Sequence, residues 1–351
     1  MTIQNLKKWM KTNQIKTEVL NPKKIRGKTI PIDIMGIMYQ SRWAPRNIIV
    51  AKMDPFSETI DELAVDCLWF KHVINKILQW WDNFKIFPLF VYDGTPRPLK
   101  AATLKNRRAK QNKDNEKIQT LLTTHANTRN LLIPEEDRQQ LKKLLARYNL
   151  VPRESAERFK KFFQDLGIPT LTVDGDAERY CSLYSLENNV PVMSKDGDCF
   201  AHGASSVIVE EDVFREKGSQ YTESTFSVIR TSSILAKAGL EYDSFVDVCI
   251  MAGTDYNNNV KNYSFIKVLK FIQDYDYIEN IPASKNYNAE LLNYVQVRKE
   301  FEQVPSDTLI ESGSLKTNYD NVDLDKVLKE YGLSAYFDDI VASKLKIQKL
   351  E

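Results

Sequence analysis

Cysteine and histidine are scarce in this 351-residue chain, at four and three residues. Cys67, Cys181, Cys199 and Cys249 form no CxxC pair and lie mostly in apolar surroundings. That argues against a disulfide framework and for buried thiols in a reducing compartment. His72, His125 and His202 share no ligand spacing, so they read as surface or packed side chains and not as zinc ligands. No apolar run approaches the roughly 18 residues of a membrane span, and the opening MTIQNLKKWMK lacks an apolar secretory core. Repeats and low-complexity tails are missing too. These absences set the expectation of an intracellular protein with no membrane partner. Net charge is only +2, too small to argue for nucleic acid by itself. What is present is ordinary globular composition, 42% hydrophobic and 27% charged, in a length that suits one large or two medium domains.

The N-terminal two-thirds alternates short apolar runs with longer amphipathic ones. TIPID (29–33), FPLFVYD (87–93), PTLTVD (169–174), PVMS (191–194) and SSVIVEE (205–211) read as strands, with helical patterns such as 59–82 and 154–166 between them. This alternation predicts an α/β fold with a mostly parallel twisted sheet flanked by helices. Residues 100–150 interrupt it with two polar, basic helices, the second starting at Pro134 with acids in its first turn. Beyond Ile234 the strand signal fades, and 246–275 reads as helix, turn, helix.

Ligands of open parallel sheets sit beyond the carboxyl ends of the strands. Acids gather at four such ends: Asp33 after TIPI, Asp93 after LFVY, Asp176 and Glu178 after TLTV, Asp196 and Asp198 after PVMSK. The last pair, in MSKDGDCF, allows two readings. Asp-Gly is a strong turn signal, whereas residues i and i+2 of an extended segment would aim both carboxylates at one point. Four strand ends with the same chemistry favour a shared carboxylate pocket. Two unit charges about 4 Å apart repel by roughly 4 kcal/mol at an effective dielectric near 20, so such a pocket must bind protons or cations. All-oxygen ligands favour hard cations, Mg²⁺ or Mn²⁺, and a cluster of this size suits two of them.

Between Arg97 and Lys117 eight basic residues face two acids. Lys100 and Arg107, seven residues apart, fall on nearly one helix face close after Asp93, at the lip of the pocket, where they could meet phosphate. Lys105, Arg108 and Lys110 read either as exposed helix charges or as further nucleic-acid contacts.

IQNLKKWM, PIDIMGIMYQ, VYDGTPRPLKAATLKNRRAKQ, FKKFFQDLGIPTLTVDGDAERYC, MSKDGDCFAHGAS and FVDVCIMAGTDY, in this order and spacing, resemble the flap endonuclease branch of the Rad2/XPG 5′-nucleases along almost the whole chain. The resemblance implies a PIN-like 5′-nuclease fold with a helical arch and a C-terminal helix-turn-helix region. Its expected divisions are 1–99 and 151–275 for the nuclease core, 100–150 for the gateway and cap, and 276–351 for a C-terminal helical region. It implies that Asp33, Asp93, Asp176, Glu178, Asp196, Asp198 and Asp255 hold two Mg²⁺ ions, with Mn²⁺ as substitute; Asp255 enters only by this likeness. Lys100 and Arg107 would engage the scissile phosphate. Tyr39 would stack on a base, although an aromatic in MGIMYQ could equally belong to a core.

The implied activity is metal-dependent, structure-specific hydrolysis at DNA 5′-flaps or branched junctions in replication, recombination or repair. A 5′→3′ exonuclease, a junction resolvase and a catalytically inactive nucleic-acid scaffold are the alternatives. Three departures stand out. Thr2 replaces the usual glycine, the turn NNNVKNYS (257–264) has no glycine for close phosphate approach, and no terminal clamp-binding motif is found. Such a compact form resembles those of large DNA viruses, which sets the expected location as a nucleus or a viral cytoplasmic replication site.

Overall fold

The computed structural model describes residues 3–215, 222–260, 263–285, 292–310 and 322–334. The apolar runs TIPID and FPLFVY become Thr29–Asp33 and Phe87–Tyr92, burying four of five and five of six residues. Burial on both faces is what makes such strands nearly continuous in apolar character. Counting along the chain, the strands are β1 (Glu18–Val19), β2 (Thr29–Asp33), β3 (Phe87–Tyr92), β4 (Thr170–Thr172), β5 (Val192–Met193), β6 (Ser206–Arg215) and β7 (Thr222–Arg230). They form one seven-stranded sheet in the order β1-β7-β6-β5-β2-β3-β4. Pairings β2–β3, β2–β5, β3–β4 and β5–β6 are parallel; β1–β7 and β6–β7 are antiparallel. The sheet is therefore mostly parallel, as its sequence predicts, with an antiparallel margin that the sequence reading does not contain. The chain winds outward through β2, β3 and β4, then returns to lay β5 on the other side of β2. This reversal is where open α/β sheets form a ligand crevice.

Two compact units divide the chain, one drawn from Met1–Gly36, Gln79–Thr103 and Pro169–Lys316, the other from Ile37–Leu78, Leu104–Ile168 and Thr317–Glu351. The first contains all seven strands. Its core runs from Leu6 and Trp9 through Val91, Leu171 and Val192 to Phe245, Ile250 and Val268. Helices Tyr242–Ala252 and Phe265–Tyr275 bear out the expected helix-turn-helix. In the connection Gly253 has φ +97°, and a Cβ there would lie 2.8 Å from the Asn259 amide nitrogen. Only glycine fits that close backbone approach. Lys261 and Asn262 of the glycine-free turn lie outside the described residues, as do Thr2 and the terminal 335–351 stretch.

The second unit is helical. Trp69, Phe70, Phe159, Phe162 and Phe163 stack and tilt against one another, with Trp69 to Phe159 at 4.4 Å and Phe70 to Phe162 at 4.8 Å. Beside them the fully buried Arg42 guanidinium bonds Asp66 (2.6 Å), Glu62 (2.7 Å), Ser155 (2.9 Å) and the Leu150 carbonyl (2.6 Å). Buried charge is tolerated there because it is paired and hydrogen-bonded. Of the basic stretch, helix Ala101–Thr124 buries Ile118, which packs with Leu141 and Leu144 of helix Glu135–Arg147. Pro134 caps that second helix, and three acids occupy its first turn. Among the described residues no helix is long and apolar enough to cross a membrane.

Candidate active site

All seven predicted acids and Lys100 fall in the strand-bearing unit. Asp33 ends β2 with 4% of its surface exposed, accepting from Ser194 Oγ (3.0 Å) and from the Met35 amide (3.2 Å). Ser194 follows β5, the parallel neighbour of β2, and its hydroxyl also accepts from the Asp196 amide at 3.0 Å. One serine thereby links two of the acids. Asp93 follows β3 and accepts the Ala177 amide at 2.8 Å, a carboxylate at the N-terminus of helix Ala177–Asn188 where the helix dipole favours negative charge. Asp176 is the N-cap of that helix and Glu178 lies in its first turn. Asp255 lies beyond the C-terminal end of helix Tyr242–Ala252, and its carbonyl accepts Thr103 Oγ1 at 2.9 Å.

The MSKDGDCF doublet is not extended. Gly197 has φ −78° and ψ −11°, and the chain turns there into helix Asp198–Ala201. The Asp198 amide donates to Asp196 Oδ1 at 3.2 Å, closing the turn. The turn reading is correct for the backbone, because Asp-Gly chemistry outweighs strand continuation. Asp198 also accepts the Ile3 amide at 2.9 Å.

The charges nevertheless act on one another. Burial, then repulsion from Asp93 and Asp196, pushes Asp33 up to about 7 despite its hydrogen bonds. Burial, then Asp33 and Asp93, raises Glu178 well above the usual carboxylate range. Burial, then Asp196 and Asp255, does the same to Asp198. Asp176 behaves oppositely. Burial would raise it, but Lys100 Nζ at 2.8 Å and the Tyr256 hydroxyl at 2.6 Å hold it low. Lys100 also reaches Asp255 Oδ2 at 3.6 Å, and Asp176, Glu178 and Asp93 outweigh its burial to raise its own pKa. The pocket thus sets an ionised Asp176 against the Lys100 ammonium, while Asp33, Glu178 and Asp198 are driven toward protonation. Excess negative charge of this kind, offered by oxygen donors alone, fits hard divalent cations. Among the described residues no three His, Cys, Asp or Glu side chains converge as a ready ligand set. Lys100 lies between Asp176 and Asp255 and pairs with both.

Tyr256 and Ser194 are functional candidates that sequence reasoning passes over. Tyr256 is 6% exposed, and burial followed by Asp176 keeps its hydroxyl protonated, hence always a donor. Its one signal is adjacency to Asp255; that of Ser194 is its place at a strand end between acid-bearing segments. His202 is buried and pushed down to about 3, mainly by burial, so it stays neutral. The remaining predicted residues, Tyr39, Lys105, Arg107, Arg108 and Lys110, belong to the helical unit, and all are exposed there. Exposure of Tyr39 (44%) argues against a core role for it.

Sequence models of the XPG N-terminal domain and the XPG I-region match residues 1–114 and 167–255. A flap endonuclease 1 of Entamoeba histolytica is 27% identical over 332 residues, covering 93% of this chain and 80% of the relative. In Entamoeba dispar the match to flap endonuclease 1 is 29% over 268 residues, and the chain spans 62% of that relative's length. Among solved structures, the catalytic core of Rad2 in complex with a DNA substrate superposes with a TM-score of 0.57 at 14% identity over 99% of both chains. Flap endonuclease-1 from Methanococcus jannaschii gives 0.54 at 19% identity, over 95% of this chain and 96% of the other. At such identities these structures establish the fold.

Proposed function

The chain belongs to the Rad2/XPG family of 5′-nucleases, and from that premise we propose that it is a metal-dependent, structure-specific nuclease of DNA 5′-flaps and branched junctions. The observation that carries this reading is the gathering of acids in one pocket, where the charges of Asp93 and Asp196 lie near enough to raise both buried Asp33 and buried Glu178, beside Lys100 paired with Asp176 and Asp255. We assign all seven acids, Asp33, Asp93, Asp176, Glu178, Asp196, Asp198 and Asp255, to two divalent ions, Mg²⁺ with Mn²⁺ as substitute. Bound there, the ions supply an acidified water and charge stabilisation at the leaving oxygen. Water oxygen bonds to phosphorus, the P–O3′ bond breaks, and a 5′-phosphate and a 3′-hydroxyl result.

The chain's own groups do the rest. Lys100 stays protonated at every working pH and offers its charge to the phosphate. Tyr256 and Ser194 hold Asp176 and Asp33 in orientation. Arg107 is assigned to bidentate phosphate contact and Tyr39 to base stacking, with Lys105, Arg108 and Lys110 supplying the phosphate field of a gateway over 100–150. Selection then rests on DNA shape and a free 5′ end, with few base-edge contacts.

A panel of matched nick, gap, flap and four-way-junction substrates tests this, with wild type and Asp196→Ala in Mg²⁺ and in EDTA. Flap cleavage by wild type in Mg²⁺ alone is expected. Equal cleavage by the variant defeats the assignment, and undiminished cutting of a flap with a blocked 5′ end defeats threading.

A further inference from the structure

A cavity of about 420 Å³ opens beside the Asp196 turn, its described lining residues all within the strand-bearing unit. We propose that it is a binding site for one unpaired nucleotide of the DNA strand, a subsite that rests on the nuclease reading above. Its volume is in the range of small-ligand pockets. Met10, Phe200, Val207 and Ile229 line it with apolar surface, and all four are themselves buried. That suits the face of a base, for which apolar and aromatic surface is tolerant of sequence. Lys7 and Lys11 stand one helical turn apart on helix Leu6–Thr12, and Lys195 joins them from the turn. The Lys7 ammonium is fixed by the Lys195 carbonyl at 2.5 Å. Among the described residues Asp196 is the one carboxylate in the lining, so the three lysines leave an excess of two positive charges there, complementary to phosphate.

Two further features tie the cavity to the acids. Ser194 and Asp196 line it, and the same serine hydroxyl bonds Asp33. On the sheet side the register slips between Ile208 and Glu210, so Val209 is the extra residue of a β-bulge and its side chain joins the lining. Bulges of this kind re-aim side chains next to functional sites.

The test is calorimetric titration of the whole chain in EDTA, where acids without divalent ions repel phosphate and do not compete. Thymidine 5′-monophosphate, thymidine, inorganic phosphate and a thymidine pentanucleotide are the probes. The monophosphate is expected to bind at least about tenfold more tightly than thymidine or phosphate, and the pentanucleotide at least as well as the monophosphate. Val209→Trp, which fills the cavity, and Lys11→Glu, a surface change, are each expected to weaken binding by about tenfold, the effect of one lost charged or stacked contact. Binding untouched by both variants, or phosphate alone equalling the monophosphate, overturns the nucleotide site. A monophosphate that binds while the pentanucleotide does not overturns the assignment to a strand. Flap cleavage in Mg²⁺ is run alongside. Cleavage without variant-sensitive binding removes the subsite and leaves the nuclease standing; variant-sensitive binding without cleavage supports the subsite and removes the nuclease.

Discussion

Removing a carboxylate from this pocket should make the metal-free protein more stable, and Asp33→Asn is the clearest case. The Asp33 carboxyl is raised from 3.8 to about 7 by burial and by Asp93 and Asp196. A raised acid binds its proton more tightly in the native state. Its contribution to stability is therefore complete below the unfolded value and disappears as pH rises through about 7. At about 1.4 kcal/mol per pH unit the span amounts to roughly 4 kcal/mol. With 4% of its surface exposed, Asp33 is little screened by water. Asparagine carries no charge, but it cannot accept from both Ser194 and the Met35 amide as the carboxylate does, a loss of about 1 kcal/mol. In EDTA at pH 8 the variant is thus expected to be about 3 kcal/mol more stable than wild type, and at pH 5, already above the unfolded value, where roughly 1.6 kcal/mol of the span is gone, by less than about 1 kcal/mol. Urea denaturation at the two pH values reads the difference. Mg²⁺ at about a hundred times its Kd should then add about 2.7 kcal/mol to wild type and less to the variant. A variant no more stable at pH 8, or one whose difference from wild type is the same at both pH values, refutes the electrostatic account.

Lys100→Met takes the ammonium from between Asp176 and Asp255, and is expected to cost about 3 kcal/mol of metal-free stability. Single-turnover flap cleavage by the same variant should fall about 100-fold; wild-type values in both assays remove Lys100 from the site. Tyr256→Phe deletes the 2.6 Å hydrogen bond to Asp176 and should raise the Mg²⁺ needed for half-maximal cleavage about tenfold, seen in a metal titration. Arg107→Ala is exposed and should leave unfolding unchanged to within about 0.5 kcal/mol while cleavage drops; unimpaired cleavage ends its phosphate role.

Much of this architecture is legible in the sequence because β2 and β3 are buried on both faces, which imposes continuous apolar runs. Asp33 and Asp93 could be found by reading to the end of those runs. The strand β7, TESTFSVIR, carries threonine, glutamate and serine, and its antiparallel place at the sheet margin leaves no such run to read. Asp255 follows a helix instead of a strand, so the rule that finds the other acids passes over it. The sequence places Lys100 at the lip of the pocket close after Asp93, but its burial is hidden, because the partners that pair with it, Asp176 and Asp255, are 76 and 155 residues away. Tyr256 is illegible for the same reason, since its partner Asp176 is 80 residues earlier.

The register of the sheet has a consequence for how such proteins drift. Asp33 sits opposite Val91, two residues before Asp93, and one step along β2 from Ile32, which pairs with Met193 beside Ser194. Neighbouring strands lie about 4.8 Å apart whatever side chains they carry. The gauge of the pocket is thus fixed by amide-to-carbonyl bonding, a property every sequence shares. Replacing most of the surrounding residues leaves that ruler intact, so a chain only 27% identical to its Entamoeba histolytica relative can still set its own acids at the tips of its strands.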